Sequence, residues 1–151
     1  MKNVLGYEGR KVVITGAASG MGAAAARLLV ELGAEVHALD IGEVTAPVAK
    51  AIRTDMKNKA SIDAALAQLP GEIYALFNCA AVPHPPFSAF DTMMINFVGL
   101  KHLTDALLPR IGKGGAIASI ASTAGMGWKA NLELVRKFLA LEGFDAAEAW
   151  L

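Results

Sequence analysis

The sequence predicts an α/β protein, with a doubly wound, mostly parallel sheet between two layers of helices. Short apolar runs alternate along the 151 residues with segments of helical periodicity. The apolar runs lack polar alternation, as strands do when helices cover both faces of their sheet. Hydrophobic residues make up 54% of the chain and charged residues 19%, which is enough for a buried core in one ordinary domain.

The first three predicted elements form a strand–helix–strand unit. The run KVVIT at 11–15 is apolar and β-branched and predicts a buried strand. The alanine-rich run AAAARLLVEL at 23–32 predicts a helix that ends at Gly33, because glycine readily adopts the left-handed conformation that follows a helix. The run EVHAL at 35–39 predicts a second strand, which ends at Asp40.

The rest of the chain continues this alternation, with turn residues between the elements. A helix over 61–69 has Ser61 or a neighbour as its expected N-cap and the Pro-Gly pair at 70–71 as its end. Gly143 interrupts the last helical segment, and Asp145 is the expected cap of a final helix. The other predicted elements are strands at 51–55, 73–78 and 114–120, a long helix at about 91–110 and helical structure from 129 onward.

Composition and charge exclude several classes of protein. Fourteen basic and fourteen acidic residues give a formal net charge of zero. The sequence also has no basic stripe that would suggest a nucleic-acid partner. The single Cys79 excludes an internal disulfide, and no apolar run approaches the roughly 18 residues of a membrane span. We expect a cytoplasmic protein with no membrane partner. The three histidines lack metal-ligand spacing, so no metal site is expected.

Three glycines lie where ligands bind in a parallel α/β sheet, beyond the carboxyl end of a strand. Gly16, Gly20 and Gly22 in TGAASGMG separate the first strand from the first helix. Glycines let the chain turn tightly and let a pyrophosphate approach the backbone, and the helix N-terminus offers unpaired N–H groups to an anion. Glycines also occur in ordinary turns, so this motif alone leaves both interpretations open.

Asp40 favours a dinucleotide as the ligand. It ends the second strand, 18 residues after Gly22, where a carboxylate can accept hydrogen bonds from the ribose hydroxyls of adenosine. The same carboxylate would repel a 2′-phosphate, and neither residues 17–19 nor Ile41 offer a compensating cation. We therefore expect NAD as the cofactor rather than NADP.

Five motifs, taken in order, resemble signatures of the short-chain dehydrogenase/reductase family. The glycine spacing at 15–22 is similar to the family's fingerprint, and DM at 55–56 resembles the pair that contacts adenine. NCAA at 78–81 resembles the family's Asn-Asn-Ala-Gly. Asn96 resembles the asparagine of its catalytic helix, and Ser122 in SIASTAG resembles its catalytic serine.

The resemblance covers about residues 8–127 and implies a Rossmann-type fold. It implies an NAD-dependent oxidoreductase that interconverts a small-molecule alcohol and a carbonyl compound. Ser122 would orient and stabilise the reacting oxygen, and Asn96 would hold a water in a proton relay. The residues implied to bind NAD are Thr15, Gly16, Ser19, Gly20, Met21, Gly22, Asp40, Ile41, Asp55, Met56, Asn78, Ala80 and Ala81.

Two departures from the family pattern affect the expected chemistry. Ala81 replaces the last glycine of Asn-Asn-Ala-Gly, and a positive φ would be costly for alanine there. The family's Tyr-x-x-x-Lys falls on Val135 and Leu139, and both tyrosines of the chain, Tyr7 and Tyr74, lie upstream. Oxidation of an alcohol needs a base to take the hydroxyl proton. These 151 residues alone are therefore expected to be inactive.

Two explanations of the absent tyrosine remain open. In the first, residues 1–151 are an incomplete NAD-binding domain, and the strands that finish the family's sheet lie further along a longer chain. In the second, the chain is a non-catalytic NAD(H)-binding module or sensor. The first is favoured because 126–151 resembles the start of a helical insertion between the serine and the tyrosine. Such an insertion is similar to that of the subgroup containing coniferyl alcohol and 3-alpha-hydroxysteroid dehydrogenases, which suggests an aromatic or alicyclic alcohol.

His84 is a further candidate, for contact with the substrate. It lies in the proline-rich loop VPHPPFSAF, which we expect near the nicotinamide. His37 and His102 are expected in structural roles and Cys79 as a buried, unreactive thiol. Family members often pair through the helix that bears the tyrosine and lysine, and a homo-oligomer is left open.

Overall fold

The computed structural model describes residues 5–151, and their strands form a single parallel sheet. The strand order is β3-β2-β1-β4-β5, so the direction of the winding reverses between β1 and β4. This confirms the doubly wound α/β prediction. The strands of the described residues are β1 Lys11–Thr15, β2 Glu35–Asp40, β3 Lys50–Arg53, β4 Ile73–Asn78 and β5 Ile111–Ser119.

The helices follow the strands in the predicted alternation. The predicted helix at about 91–110 is helical throughout, but its middle, Met94–Gly99, is π-helical. No helix within residues 5–151 is long and apolar enough to cross a membrane. The helices are α1 Gly20–Glu31, α2 Lys59–Leu66, α3 Ala89–Met93, α4 Leu100–Leu107, α5 Leu132–Leu139 and α6 Phe144–Trp150, with 3₁₀ segments at Leu108–Arg110 and Thr123–Asn131.

Capping groups set the helix boundaries that differ from the predicted ones. The N-cap of α2 is Asn58, whose Oδ1 accepts a hydrogen bond from the backbone N of Ser61 at 3.0 Å. Ser61 instead lies inside the helix, and its Oγ accepts a bond from Asp55 N. The prediction that Asp145 caps the last helix is wrong: Gly143 is the N-cap, and Asp145 lies in the first turn. A carboxylate in the first turn still interacts favourably with the positive end of the helix dipole.

Both faces of the central strands are buried, as the continuous apolar runs predicted. Val12 and Ile14 pack on the α1 side of the sheet, and Val13 packs on the opposite side, against α2 and α4. All three side chains are fully buried. β5 differs, because it pairs only with β4 in the described residues and Ile117 is 38% exposed.

The C-terminal helices pack against the long helix. The Phe138 ring lies 5.1 Å from the Phe97 ring, and the Phe144 ring lies edge-on at 5.6 Å from His102. The prediction of helical structure from residue 129 onward is thus confirmed. Its assignment as the start of an insertion stays a prediction.

A hydrogen bond between His102 and the Asp63 carboxylate ties α2 to α4, and its contribution should disappear in acid. His102 Nε2 lies 2.7 Å from Asp63 Oδ1, and this hydrogen bond holds the pKa of the Asp63 carboxyl below its usual value. The pair therefore stabilises the fold above the ordinary aspartate pKa, near 4, and loses its effect as pH falls through the lower folded value.

We expect Asp63→Asn to lower the free energy of unfolding at neutral pH by at most about 1 kcal/mol, because the pair is exposed. Urea unfolding at about pH 7 and about pH 2 measures this difference, which should vanish at the lower pH. Asp105→Asn is the control, because Asp105 pairs with Lys101 within one helix. An Asp63→Asn effect of equal size at both pH values would contradict the assignment.

Candidate functional site

A cavity of about 450 Å³ lies over the carboxyl ends of the strands, at the point where the winding reverses. Its volume is in the range of small-molecule sites. Most of the residues predicted to bind a cofactor line it: Gly16, Ser19, Gly20, Met21, Gly22, Asp40, Ile41, Asp55, Met56, Ala80 and Ala81.

Two of the three glycines cannot carry a side chain without moving neighbouring backbone. Gly16 has φ +71°, and a Cβ on it would lie 2.6 Å from Ala80 N. A Cβ on Gly22 would lie 2.0 Å from the carbonyl oxygen of Gly16. The β1–α1 loop, the first turn of α1 and the loop after β4 therefore approach one another more closely than residues with side chains allow.

The N-terminus of α1 leaves backbone donors free at this cavity. Ser19 is the N-cap residue, but its side chain makes no capping hydrogen bond. The first bond of the helix runs from Ala23 N to Ser19 O at 3.0 Å. The N–H groups of Gly20, Met21 and Gly22 have no partner within the helix, as at the start of any α-helix. Unpaired donors and the positive end of the helix dipole together favour an anion.

Thr15 and Asn78 lie beneath the cavity and hold its walls in place. Thr15 is buried, and its Oγ1 accepts hydrogen bonds from Cys79 N at 3.1 Å and Ala80 N at 3.0 Å. Asn78 Nδ2 donates to Thr104 Oγ1 and to Ser119 Oγ, at 3.1 and 3.2 Å. Neither residue lines the cavity. Their predicted part in cofactor binding would be to position the loop after β4.

The Asp40 carboxylate faces the cavity and also fastens two loops. Its Oδ2 accepts a hydrogen bond from Ala18 N at 2.8 Å, and its Oδ1 accepts one from Gly42 N at 2.7 Å. Each carboxylate oxygen can accept a further bond. Asp40 can therefore hold the glycine loop and still accept hydrogen bonds from a ligand's hydroxyls.

Asp55 and Met56 line the cavity from the loop that follows β3. Asp55 Oδ1 accepts a hydrogen bond from Lys57 N at 2.9 Å, which shapes the loop between β3 and α2. The long helix packs closely on this loop, since a Cβ on Gly99 would lie 1.8 Å from the Met56 carbonyl oxygen. Only a glycine permits that approach of helix and loop.

Asn96 fixes the loop after β4 through both atoms of its amide. Its Oδ1 accepts from Val82 N at 2.8 Å, and its Nδ2 donates to Val82 O at 2.9 Å. Each of the two amide atoms thus makes one hydrogen bond to Val82, and the predicted proton relay through Asn96 stays a prediction. No non-glycine residue within 5–151 has a positive φ, so Ala81 does not carry the backbone strain considered for it.

Ser122 and His84 lie outside the cavity lining. Ser122 is exposed, and its Oγ accepts a hydrogen bond from Ala124 N at 3.1 Å as the N-cap of a 3₁₀ segment. It follows Ile120, which does line the cavity, by two residues. His84 is exposed, and its Nδ1 lies 2.6 Å from Phe87 O. The roles of both residues in substrate contact stay predictions.

Sequence reasoning missed several apolar residues of the cavity. Val82, Phe87, Ile95 and Ile120 line it, and no spacing in the sequence distinguishes them from core residues. For Ile120, the one signal in the sequence was its position as the last apolar residue of the predicted strand at 114–120. Cys79 also lines the cavity, half-buried, and burial raises the pKa of its thiol, which agrees with an unreactive residue.

A parallel α/β sheet with a glycine-lined cavity at its switch point is typical of dinucleotide-binding domains. The family model described as short chain dehydrogenase matches residues 10–132. The chain therefore belongs to the short chain dehydrogenase family.

Among its relatives, coniferyl-alcohol dehydrogenase of Pseudomonas sp. (strain HR199) is 37% identical over 145 residues, covering 94% of this chain and 55% of that protein. The 3-alpha-hydroxysteroid dehydrogenase/carbonyl reductase of Comamonas testosteroni is 28% identical, covering 91% and 53%. The crystal structure of the 3-alpha-hydroxysteroid dehydrogenase from Pseudomonas sp. B-0831 complexed with NADH has a TM-score of 0.74 at 28% identity, covering 91% and 55%. The chain thus spans about half the length of these relatives.

Proposed function

We propose that this chain is the cofactor-binding part of an NAD-dependent oxidoreductase that interconverts an alcohol and a carbonyl compound. One observation carries the proposal: the free N–H groups at the start of α1 and the Asp40 carboxylate line the same cavity. The backbone beside them is open to a ligand because Gly16 and Gly22 have no side chains. The similarity to a dehydrogenase crystallised with NADH supports the same cofactor.

The cavity's donors and acceptors fit NAD. The N–H groups of Gly20, Met21 and Gly22 would hold the pyrophosphate, and Asp40 would accept bonds from the adenosine ribose. Met56 offers apolar contact to the adenine. The cavity lining contains two aspartates and no lysine or arginine, which favours NAD over a cofactor with an added 2′-phosphate.

NAD, when bound, would supply the hydride acceptor or donor, and the protein would orient the substrate and manage its proton. Ser122 Oγ already accepts a bond from Ala124 N, and a hydroxyl that accepts can still donate its proton. Ser122 would donate to the reacting oxygen of the substrate. The base that exchanges the hydroxyl proton would be a tyrosine outside these 151 residues.

The substrate that we propose is an aromatic or alicyclic alcohol. Phe87 is 42% exposed and Ile120 is 47% exposed, and both line the cavity next to Val82. Such side chains gain from covering an apolar ring. The sequence similarity to coniferyl-alcohol dehydrogenase supports this class of substrate, because the alcohol in that name is aromatic. Coniferyl alcohol is therefore the first compound to assay.

A non-catalytic NAD(H)-binding module is the second candidate. It is favoured by the absence of any tyrosine after Ser122 in the sequence. A sensor of this kind requires that residues 1–151 fold cooperatively alone and gain stability from NADH. A chain that aggregates alone would instead favour the larger enzyme.

Cofactor preference tests the role of Asp40. We expect the chain to bind NADH more tightly than NADPH, and Asp40→Ala to reduce that preference by about fivefold or more, because like charges about 4 Å apart repel by roughly 1 kcal/mol even in water. Fluorescence titration with both cofactors measures the ratio. Glu43→Ala is the matched control, since Glu43 is an exposed carboxylate outside the cavity lining. Equal or tighter binding of NADPH by the unaltered chain would overturn the assignment.

A further inference from the structure

An ion pair links two segments of the chain that carry lining residues of the cavity. Lys57 Nζ lies 2.9 Å from Asp91 Oδ1, although the two residues are 34 positions apart in the sequence. Lys57 follows Met56, which lines one wall, and Asp91 precedes Ile95, which lines the other, by one helical turn. The pair therefore joins the β3–α2 loop to the start of the long helix, next to the cavity.

Asp91 also anchors the segment that carries Phe87 to the cavity. Its Oδ2 accepts a hydrogen bond from Ser88 Oγ at 2.8 Å, and Ser88 Oγ accepts from Asp91 N as the N-cap of α3. His84 Nδ1, 2.6 Å from Phe87 O, fixes the same segment internally. Phe87 is thus connected to Lys57 through Ser88 and Asp91.

The titration of both partners agrees with this geometry. The hydrogen bond and charge of Asp91 raise the pKa of Lys57, and Lys57 and Ser88 lower the pKa of Asp91. Both groups stay ionised across the neutral range. The pair is nevertheless open to water, with 45% of the Lys57 side chain and 30% of the Asp91 side chain exposed, so dissolved salt weakens it.

We infer that Lys57 and Asp91 are positioning residues that slow the release of the bound cofactor by restraining the two segments that carry Met56 and Phe87 at the cavity. The inference rests on the proposed function, because it assumes that NAD(H) occupies this cavity. Its effect should fall on the dissociation rate, because Met56 and Phe87 line the cavity and the pair restrains the segments that carry them.

The test follows NADH dissociation from the purified 151-residue chain. The protein–NADH complex is mixed rapidly with excess NAD⁺, and the loss of NADH fluorescence gives the rate. We expect Lys57→Met to release NADH about two- to fivefold faster, the scale set by one exposed ion pair. Lys57→Arg should restore the slow rate. Raising the salt from about 0.05 M to about 0.5 M should speed release from the unaltered chain but not from Lys57→Met.

Lys59→Met is the matched control, because Lys59 pairs with Asp63 within α2 and not with the long helix. It should leave the dissociation rate unchanged. Unaltered release from Lys57→Met in a chain that binds NADH would overturn the inference and leave the proposed function intact. No NADH binding by the unaltered chain would overturn both, and the two failures are therefore distinguishable.

Discussion

Gly16→Ala is expected to abolish detectable NADH binding and to lower the free energy of unfolding by about 2 kcal/mol or more. A left-handed conformation costs a residue with a side chain roughly 1–2 kcal/mol, and Gly16 has φ +71°. The added methyl would also lie 2.6 Å from Ala80 N and 2.7 Å from Ala80 Cα. Relieving that clash displaces the loop after β4, and the cavity wall moves with it.

Two further glycine variants separate the causes of this effect. Gly71→Ala is the neutral control, because Gly71 has an ordinary φ and nothing lies within 4 Å of an added Cβ. Gly20→Ala adds backbone strain without a clash inside the protein, since Gly20 has φ +54° and open space around its Cβ, but its methyl would lie in the cofactor cavity. Urea unfolding and NADH titration should therefore rank Gly71→Ala, Gly20→Ala and Gly16→Ala in increasing order of damage. Unchanged NADH affinity in Gly16→Ala would mean that the cofactor does not use this loop.

No NAD-dependent oxidation of an alcohol is expected from the 151-residue chain, because no tyrosine follows Ser122 to act as the base. We expect activity with coniferyl alcohol once the chain is extended to the length of its relatives and carries a Tyr-x-x-x-Lys. In that extended chain Ser122→Ala should reduce turnover by about 10²-fold or more, the scale of losing one preorganised donor to a reacting oxygen.

The alternative for Ser122 is a purely structural N-cap, and the bond that its Oγ accepts from Ala124 N is compatible with that role. In that case Ser122→Ala would lower stability by about 1 kcal/mol and leave turnover per folded molecule nearly unchanged. Thr123→Ala is the control, because Thr123 is the adjacent exposed hydroxyl residue. Measuring unfolding and turnover in both variants decides between the roles. Clear NAD-dependent oxidation of an alcohol by the 151-residue chain would contradict the conclusion that it contains no catalytic base.

Strand and helix order followed from the sequence because it depends on local patterns. The run KVVIT predicted β1 with its bounds, and the pattern at 73–78 did the same for β4. Helix boundaries depended on capping: the sequence offered Ser61 or a neighbour as the N-cap of α2, and the structure has Asn58. A side chain's choice between capping and another partner depends on which backbone groups lie near it in space.

Most of the predicted cofactor-binding residues were found at the cavity because family motifs sit at strand ends, and parallel strands bring those ends together. The sequence by itself thus determined the fold class, the glycine loop and the position of Asp40. Only the tertiary structure decided that Asn96 bonds Val82, that Phe87 and Ile120 line the cavity and that Lys57 pairs with Asp91. These contacts join segments far apart in the chain, and their geometry depends on how the long helix packs against the sheet, which no local periodicity encodes.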